Sequence, residues 1–183
     1  MITFEQAKQI ALDTIGPDCA LYEDSTLEKP YGWYFSYQSN NYIQSGNFDD
    51  MLLGIGGFIV ERDDGYVFTF TAAESLEDNL ASYEAGFRYD TYDLTILSIS
   101  DREKTLYLLA NIGLSYVIPE EEGGVVWRIP KRYTEEHLRE MLVTLPYTFY
   151  HQDLTARYKA FSMVIDKIGC CQYRLQGHRQ PKS

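Results

Sequence analysis

The sequence predicts an α+β protein made of two small units, and three observations lead to this prediction. Runs with apolar residues at helical spacing alternate with runs of period two, which is typical of helices mixed with antiparallel strands. The 183 residues are 45% hydrophobic, which is enough for a buried core. Residues 1–90 hold 16 Asp and Glu against 4 Lys and Arg, whereas residues 91–183 hold 11 against 12. We therefore expect one domain at residues 1–88, a second at 92–176 and a mobile tail at 177–183.

The first unit is predicted to run helix, antiparallel sheet, helix. Thr3 and Gln6 can form a capping box at the start of a helix over residues 3–16. The strands follow as three runs of period two: residues 31–39, 42–46 and 57–70. Ser75 caps the closing helix, which ends at Gly86.

The second unit is predicted as a smaller α+β arrangement without an assigned family. Its strands are expected at residues 94–99, 147–151 and 170–175, with a hairpin over 115–130 that turns at Gly123 and Gly124. Its helices are expected at residues 101–113, 134–145 and 154–169, capped by Asp101, Thr134 and Asp153.

Composition excludes several classes of site and protein. The three cysteines and three histidines lack the spacing of a zinc site, so we predict no metal and no cofactor. No nucleophile, base or pair of carboxylates can be singled out, and we predict no enzymatic activity. The sequence shows neither a signal peptide nor a long apolar span, so we expect a cytoplasmic protein without membrane contact.

Two stretches look like ligand sites but are better explained as structure. In "PYGWYFSYQS", alternation places Tyr31, Trp33, Phe35 and Tyr37 on one face, as in a core strand. A stacking platform for nucleic acid would need basic residues beside it, so we predict no nucleic acid partner. "GIGGF" at residues 54–58 leads into a strand rather than a helix, and is predicted to be a bulge or a tight strand entry, not a phosphate loop.

The excess negative charge has two interpretations: a solvated face, or a contact surface for a basic protein. Under the second, exposed aromatic residues anchor the contact and carboxylates oppose the partner's charge. The candidate contact residues are the anchors Tyr34 and Tyr42, the carboxylates Asp49, Asp50, Glu61, Asp63 and Asp64, and the turn residues Glu120, Glu121 and Glu122.

Four motifs in order resemble the Immunity protein 35 family, also called the YrhB-like domain. They are the strand at Tyr31, Gly32, Trp33 and Phe35, the glycines of residues 54–57, the strand and turn of residues 59–65, and the helix of residues 75–84. The resemblance covers about the first 87 residues. It implies the protective half of a bacterial toxin and immunity gene pair, which neutralises its cognate toxin by binding.

We therefore expect a non-enzymatic immunity protein that forms a heterodimer with a toxin domain and covers its active site or its substrate-binding surface. The toxin surface is expected to be basic. Two alternatives remain at this point: an enzyme that reverses a toxin's modification, and a chaperone-like adaptor with many clients.

Overall fold

Helices and antiparallel strands alternate through both halves of the chain, which confirms the predicted α+β class. The computed structural model describes residues 1–179, apart from the side chains of residues 163 and 164. The chain divides into a first unit, Met1–Ala81, and a second unit that begins at Ser82.

The first unit contains three helices and six strands within the described residues. In chain order they are α1 (Phe4–Ile15), β1 (Cys19–Leu21), β2 (Leu27–Lys29), β3 (Gly32–Phe35), β4 (Tyr37–Ser39), α2 (Asn40–Ser45), β5 (Ile55–Glu61), β6 (Val67–Thr71) and α3 (Leu76–Glu84), whose last residues belong to the second unit. The main sheet is antiparallel with the order β2-β3-β5-β6, and β1 pairs with β4. The turn between β5 and β6 contains Asp64 and Gly65, as predicted.

Helix α1 packs on one face of this sheet. The predicted capping box is present: Gln6 N–H donates to Thr3 Oγ1 at 3.3 Å, and Thr3 N–H donates to Gln6 Oε1 at 2.9 Å. Ala7 and Ala11, one turn apart, are fully buried in the same core as the aromatic strand. Small residues on the inner side of α1 let the helix approach the rings of the sheet closely.

The aromatic strand β3 is part of the core, and both of its faces are buried. Trp33 and Phe35 contribute to the core under α1, together with the partly buried Tyr37. On the other face Tyr34 is only 6% exposed, stacks on Phe70 and donates its hydroxyl to the carbonyl of Gly56. Burial raises the pKa of Tyr34, so its hydroxyl stays neutral.

The predicted strand at residues 42–46 is wrong, because these residues fold as part of helix α2. Ser39 Oγ accepts the N–H of Tyr42 at 3.1 Å and caps the helix. Gly46 ends it in the left-handed conformation. These start and stop signals outweigh the short period-two pattern between them.

The second unit contains two separate antiparallel sheets in its described part. Its elements are β7 (Thr91–Ile99), α4 (Arg102–Ile112), β8 (Ser115–Glu122), β9 (Val125–Arg132), α5 (Glu135–Met141), β10 (Tyr147–Gln152) and β11 (Cys171–His178). Strand β7 lies between β10 and β11, while β8 and β9 form a two-stranded sheet of their own. Leu94 and Ile96 of β7 and Leu106 and Leu109 of α4 are central to the core of this unit.

Residues 155–168 are helical, as predicted, but the segment is irregular. It runs through a 3₁₀ turn, a short α turn, the π-helical Phe161–Ile165 and another α turn. The predicted cap at Asp153 is wrong, since the segment follows Leu154 without a side-chain cap. Strand β11 continues to His178, two residues into the tail predicted as mobile, and residues 180–183 of that tail lie outside the described residues.

Candidate protein-binding surfaces

A loop at one end of the first sheet presents apolar side chains to solvent beside carboxylates. We call residues 46–54, between α2 and β5, the acidic loop; it contains Asp49 and Asp50. Phe48 is 76% exposed and Leu53 is 83% exposed. Exposed apolar side chains that cluster with charges are typical of protein contact sites.

The buried side-chain amide of Gln38 fixes the acidic loop through hydrogen bonds to its backbone. Gln38 at the end of the sheet is 4% exposed, and its Oε1 accepts the backbone N–H of Leu52 at 2.7 Å and that of Ser39 at 2.8 Å. Its Nε2 donates to the carbonyl of Leu52 at 3.2 Å. Ser39 Oγ donates to the carbonyl of Asp50 at 2.5 Å. The loop therefore has a defined conformation although its apolar side chains face water.

Three of the predicted contact residues meet in or beside this loop. Tyr42 of α2 is half-buried and its ring lies 6.2 Å from that of Phe48. Asp49 is exposed. Asp50 accepts a hydrogen bond from Ser45 Oγ at 2.8 Å, so its carboxylate also serves the loop itself.

Sequence reasoning did not find Phe48 and Leu53, the most exposed apolar side chains here. The signal was available in "SGNFDDMLLG", where apolar residues lie between a helix stop and a glycine-containing strand entry. The loop was not predicted because residues 42–46 were assigned to a strand.

Two of the predicted contact residues are buried, so the prediction that they lie at the surface is wrong. Tyr34 is buried on the face of β3 that points away from α1. Glu61 at the end of β5 is 8% exposed. Both lie on the same face of the sheet, where Tyr34 pairs with Ile59 and Gly32 pairs with Glu61. Period-two alternation places both on the face away from α1, but it cannot indicate that this second face is also covered.

Asp63 and Asp64 are exposed, but they lie far from the acidic loop. They form the turn after β5, whereas the loop precedes β5, and a strand of seven residues separates the two sites by about 20 Å. Asp64 Oδ1 accepts the N–H of Tyr66 at 2.9 Å and stabilises the turn. The predicted carboxylates of the first unit therefore form two groups rather than one patch.

The charge of the two units differs strongly. Residues 1–81 contain 14 Asp and Glu but 3 Lys and Arg, which gives a net charge of −11, while the acidic and basic residues from 82 onward cancel. Among these cations, Lys8 pairs with Glu23 at 2.6 Å and Arg62 pairs with Glu28 at 2.7 Å. The first unit therefore presents a large unneutralised negative charge.

Glu120, Glu121 and Glu122 lie at the tip of the hairpin formed by β8 and β9, and all three are exposed. We call this hairpin, residues 115–132, the arm. Trp127 and Ile129 of β9 line a surface cavity of about 410 Å³ together with the three glutamates. The arm is thus a second surface that combines apolar and acidic groups, and it belongs to the second unit.

Cys171 and His151, which were considered for catalysis, lie beside opposite ends of strand β7. Burial, together with the adjacent Cys170, raises the pKa of Cys171 to about 12, so its thiol remains protonated at neutral pH. His151 lies in a bulge of β10 with its backbone N–H donating to Asp93, whose other carboxylate oxygen is 3.0 Å from His178 Nε2. Within residues 1–179, no group of three His, Cys, Asp or Glu side chains is placed to hold a metal ion.

No helix in the described part of the chain is both long enough and apolar enough to cross a bilayer.

The geometry defines the first unit as an α+β domain with a helix packed on an antiparallel sheet and a strongly acidic surface. Residues 5–86 match the model of the family Immunity protein 35. Residues 5–86 are thus similar to this immunity protein family, which confirms the resemblance drawn from the motifs. The match covers less than half of the chain and does not extend over the rest of the second unit.

A curated relative also matches part of the chain. The uncharacterized protein YrhB of Escherichia coli (strain K12) is 32% identical over 53 residues, which are 29% of this chain and 56% of that protein. The chain therefore spans about half the length of this relative. No solved structure matches the chain.

Proposed function

We propose that this protein is an immunity protein that neutralises a cognate bacterial toxin domain by binding it and covering its active site or its substrate-binding surface. The family match of the first unit supports an immunity function. The observation that carries the binding mechanism is the acidic loop, where Phe48 and Leu53 are exposed beside Asp49 in a unit of net charge −11. The protein acts in the cytoplasm, without catalysis, as one partner of a heterodimer.

The partner has a basic contact surface. Negative charge on the first unit attracts such a surface over a distance and raises the rate of encounter. This attraction is screened by salt, with a screening length of about 8 Å at physiological ionic strength. The association rate is therefore expected to fall as salt is added, with a smaller change in the dissociation rate.

The apolar side chains of the acidic loop provide the anchor. Phe48 and Leu53 expose most of their surface in the free protein and can be desolvated in a complex without unfolding anything. Because Gln38 already fixes the loop, little conformational entropy is lost on binding.

The test is co-expression of this protein with the toxin encoded beside it, followed by co-purification and a titration of protection against the protein ratio. Protection that saturates near one to one in a purified complex would support neutralisation by binding. Protection at far lower ratios would instead identify an enzyme that reverses the toxin's effect. Binding of many unrelated proteins would identify a chaperone-like adaptor.

Variants then locate the contact. We expect Phe48→Ala with Leu53→Ala to weaken toxin binding by about 10- to 100-fold, and Asp49→Lys to slow association by about threefold to tenfold. Asp13→Lys is the matched control, because it makes the same charge change on α1 away from the loop. The pair Asp63→Lys and Asp64→Lys tests the second group of carboxylates. If all of these variants bind as the original protein does, the contact surface lies elsewhere.

A further inference from the structure

The arm is unusually isolated for a pair of strands. Strands β8 and β9 pair in register over eight residues each, from Ser115 opposite Arg132 to Glu122 opposite Val125. No other strand among residues 1–179 pairs with either of them. Every residue of β9 is exposed. At the base of the arm Tyr116 packs on Tyr133, but towards the tip both strands are exposed. A two-stranded hairpin that is covered over only part of its length is marginally stable in water, so a partner that covers one face would stabilise it.

The edges of the arm are poorly suited to a partner strand. Pro119 lies in β8 and Pro130 in β9, and each is paired across the ladder. A proline has no N–H for the ladder, so its nitrogen must face the outer edge of the strand. An added strand would find a missing donor at either edge. A partner is therefore expected on a face of the arm rather than along its edge.

One face of the arm carries a compact apolar group. Paired residues share a face and alternate along the strands. We define the arm face by its eight members: Tyr116, Ile118, Glu120, Glu122, Val125, Trp127, Ile129 and Lys131. Trp127 is 56% exposed and Val125 is 52% exposed. Trp127 and Ile129 of this face line a shallow surface cavity together with the glutamates of the tip.

The arm face is negatively charged at its tip and positively charged at its base. Glu120 and Glu122 lie towards the tip, and Lys131 lies at the base. Lys131 Nζ is 3.6 Å from Glu120, which keeps the lysine side chain extended along the face. This pair is about half exposed at both ends, so it contributes little and can be exchanged for an intermolecular pair.

This arrangement is complementary to itself. When two arm faces meet with their strands in opposite directions, the row of Glu122 lies opposite the row of Lys131 in the other copy. The row of Trp127 then lies opposite the row of Ile129. A two-fold axis produces each of these contacts twice, as in the isologous interfaces of symmetric dimers.

We propose that the arm face binds the arm face of a second copy of this chain, antiparallel and about a two-fold axis. Charge favours this occupant, because the arm face carries glutamate at its tip and Lys131 at its base, and an antiparallel second copy brings the row of Glu122 opposite the row of Lys131. Over the whole arm the charges cancel, since Arg128 and Arg132 on the opposite face join Lys131 in balancing the three glutamates. A neutral arm with separated charges suits a copy of itself. This inference concerns the second unit and does not depend on the toxin.

The dimer is expected to be weak and reversible. One face of a two-stranded arm provides roughly 400 Å² per copy, which is below the area of a standard stable interface. We therefore expect a dissociation constant on the order of 10 to 100 μM.

The test is sedimentation velocity of the full chain from about 5 to 500 μM, a range that brackets the expected constant. The sedimentation coefficient should rise with concentration towards that of a dimer. Trp127→Ala should abolish this rise, and so should Glu122→Lys or Lys131→Glu alone. The double variant carrying both charge changes should restore it, because the swapped charges again pair across the axis. That restoration also shows that the single variants fail through the contact and not through misfolding.

Val126→Ala is the matched control, since Val126 is 60% exposed on the opposite face of the arm. It should dimerise like the original protein. A monomer at every concentration would overturn the proposal. A dimer that persists in all the single variants would also overturn it, because the contact would then lie elsewhere. If the chain is monomeric and the arm-face variants lose toxin binding instead, the occupant is the toxin and the proposal is equally overturned.

Discussion

The acidic loop and the arm both expose large apolar side chains, but they are held in place in different ways. Buried hydrogen bonds from Gln38 fix the loop to the core of the first unit. The arm depends on its own ladder and on ring contacts at its base, where Tyr116 lies 4.8 Å from Tyr133. An apolar surface can therefore be presented rigidly by a buried polar anchor or more loosely by a strand pair.

The two regions also differ in the partner that their charge suits. The loop belongs to a unit of net charge −11, whereas the charges of the arm cancel and are separated along its length. We therefore propose a basic protein as the partner of the loop and a second copy of the chain as the partner of the arm. Substitutions in each region can test this difference.

Substitution by alanine should lower the free energy of unfolding by very different amounts at two glycines with positive φ. Gly57 follows the acidic loop at φ +74°, and a Cβ there would lie 2.5 Å from Tyr34 Oη and 2.7 Å from the carbonyl oxygen of Phe35. Gly57→Ala should lower the free energy of unfolding of the first unit by about 3 kcal/mol. Gly123 at the tip of the arm has φ +61° and open space around it, so Gly123→Ala should cost only about 1 kcal/mol.

Urea denaturation can measure the Gly57 effect through the fluorescence of Trp33 in a Trp127→Phe background, since these are the two tryptophans of the chain. Equal effects of the two alanine substitutions would show that the backbone angle alone decides the cost and that the contact with Tyr34 is unimportant.

Removing the buried anchor should release the acidic loop. Gln38→Ala removes the hydrogen-bond partners of the partly buried N–H and carbonyl of Leu52, and we expect a loss of about 2 kcal/mol in stability. Hydrogen exchange of residues 46–54 should accelerate. Gln44→Ala is the control, because Gln44 is exposed on α2, and it should leave exchange in the loop unchanged. Slow exchange in both variants would mean that the loop does not need its anchor.

Loosening the base of the arm should affect the arm alone. Tyr116→Ala removes the ring contact with Tyr133 and should cost about 1 kcal/mol, with faster hydrogen exchange in residues 115–132. Exchange in the acidic loop should stay the same. Val117→Ala, which truncates an exposed side chain on the opposite face, should have almost no effect. Faster exchange in both regions would contradict separate anchoring.

The smallest effect concerns alkaline pH in the second unit. Burial raises the pKa of Tyr92 to about 12, and the backbone N–H of Tyr89 that donates to its hydroxyl offsets only part of this. The pKa of Tyr92 is higher in the folded protein than in the unfolded chain, where it is about 10, so ionisation of Tyr92 favours unfolding. The contribution of neutral Tyr92 to the free energy of unfolding is therefore present below pH 10 and is lost as the pH rises towards 12. The loss should stay under about 1 kcal/mol at pH 10.5. Tyr92→Phe should show a shallower decline in unfolding titrations, and an identical decline would exclude Tyr92 as its source.

Most elements could be predicted where the signal is local. The capping box of Thr3 and Gln6, the caps at Asp101 and Thr134 and the hairpin turn at Gly123 are set by neighbouring residues, and all appear in the structure. The failure at α2 has the same origin, because Ser39 and Gly46 compete there with a short alternating pattern. Charge asymmetry could also be read directly, since it requires only counting.

Burial and proximity were decided by the tertiary structure alone. Tyr34 and Tyr42 look equally exposed in the sequence, but one is covered on the second face of the sheet and the other lies beside Phe48 at the surface. Asp49 and Asp63 are both exposed carboxylates of the first unit, yet β5 separates them. The sequence alone determined the α+β class, the family of the first unit and its negative charge, because these depend on local pattern and composition. The acidic loop and the arm face exist only once distant residues, such as Gln38 with Leu52 and Glu122 with Val125, are brought together by the fold.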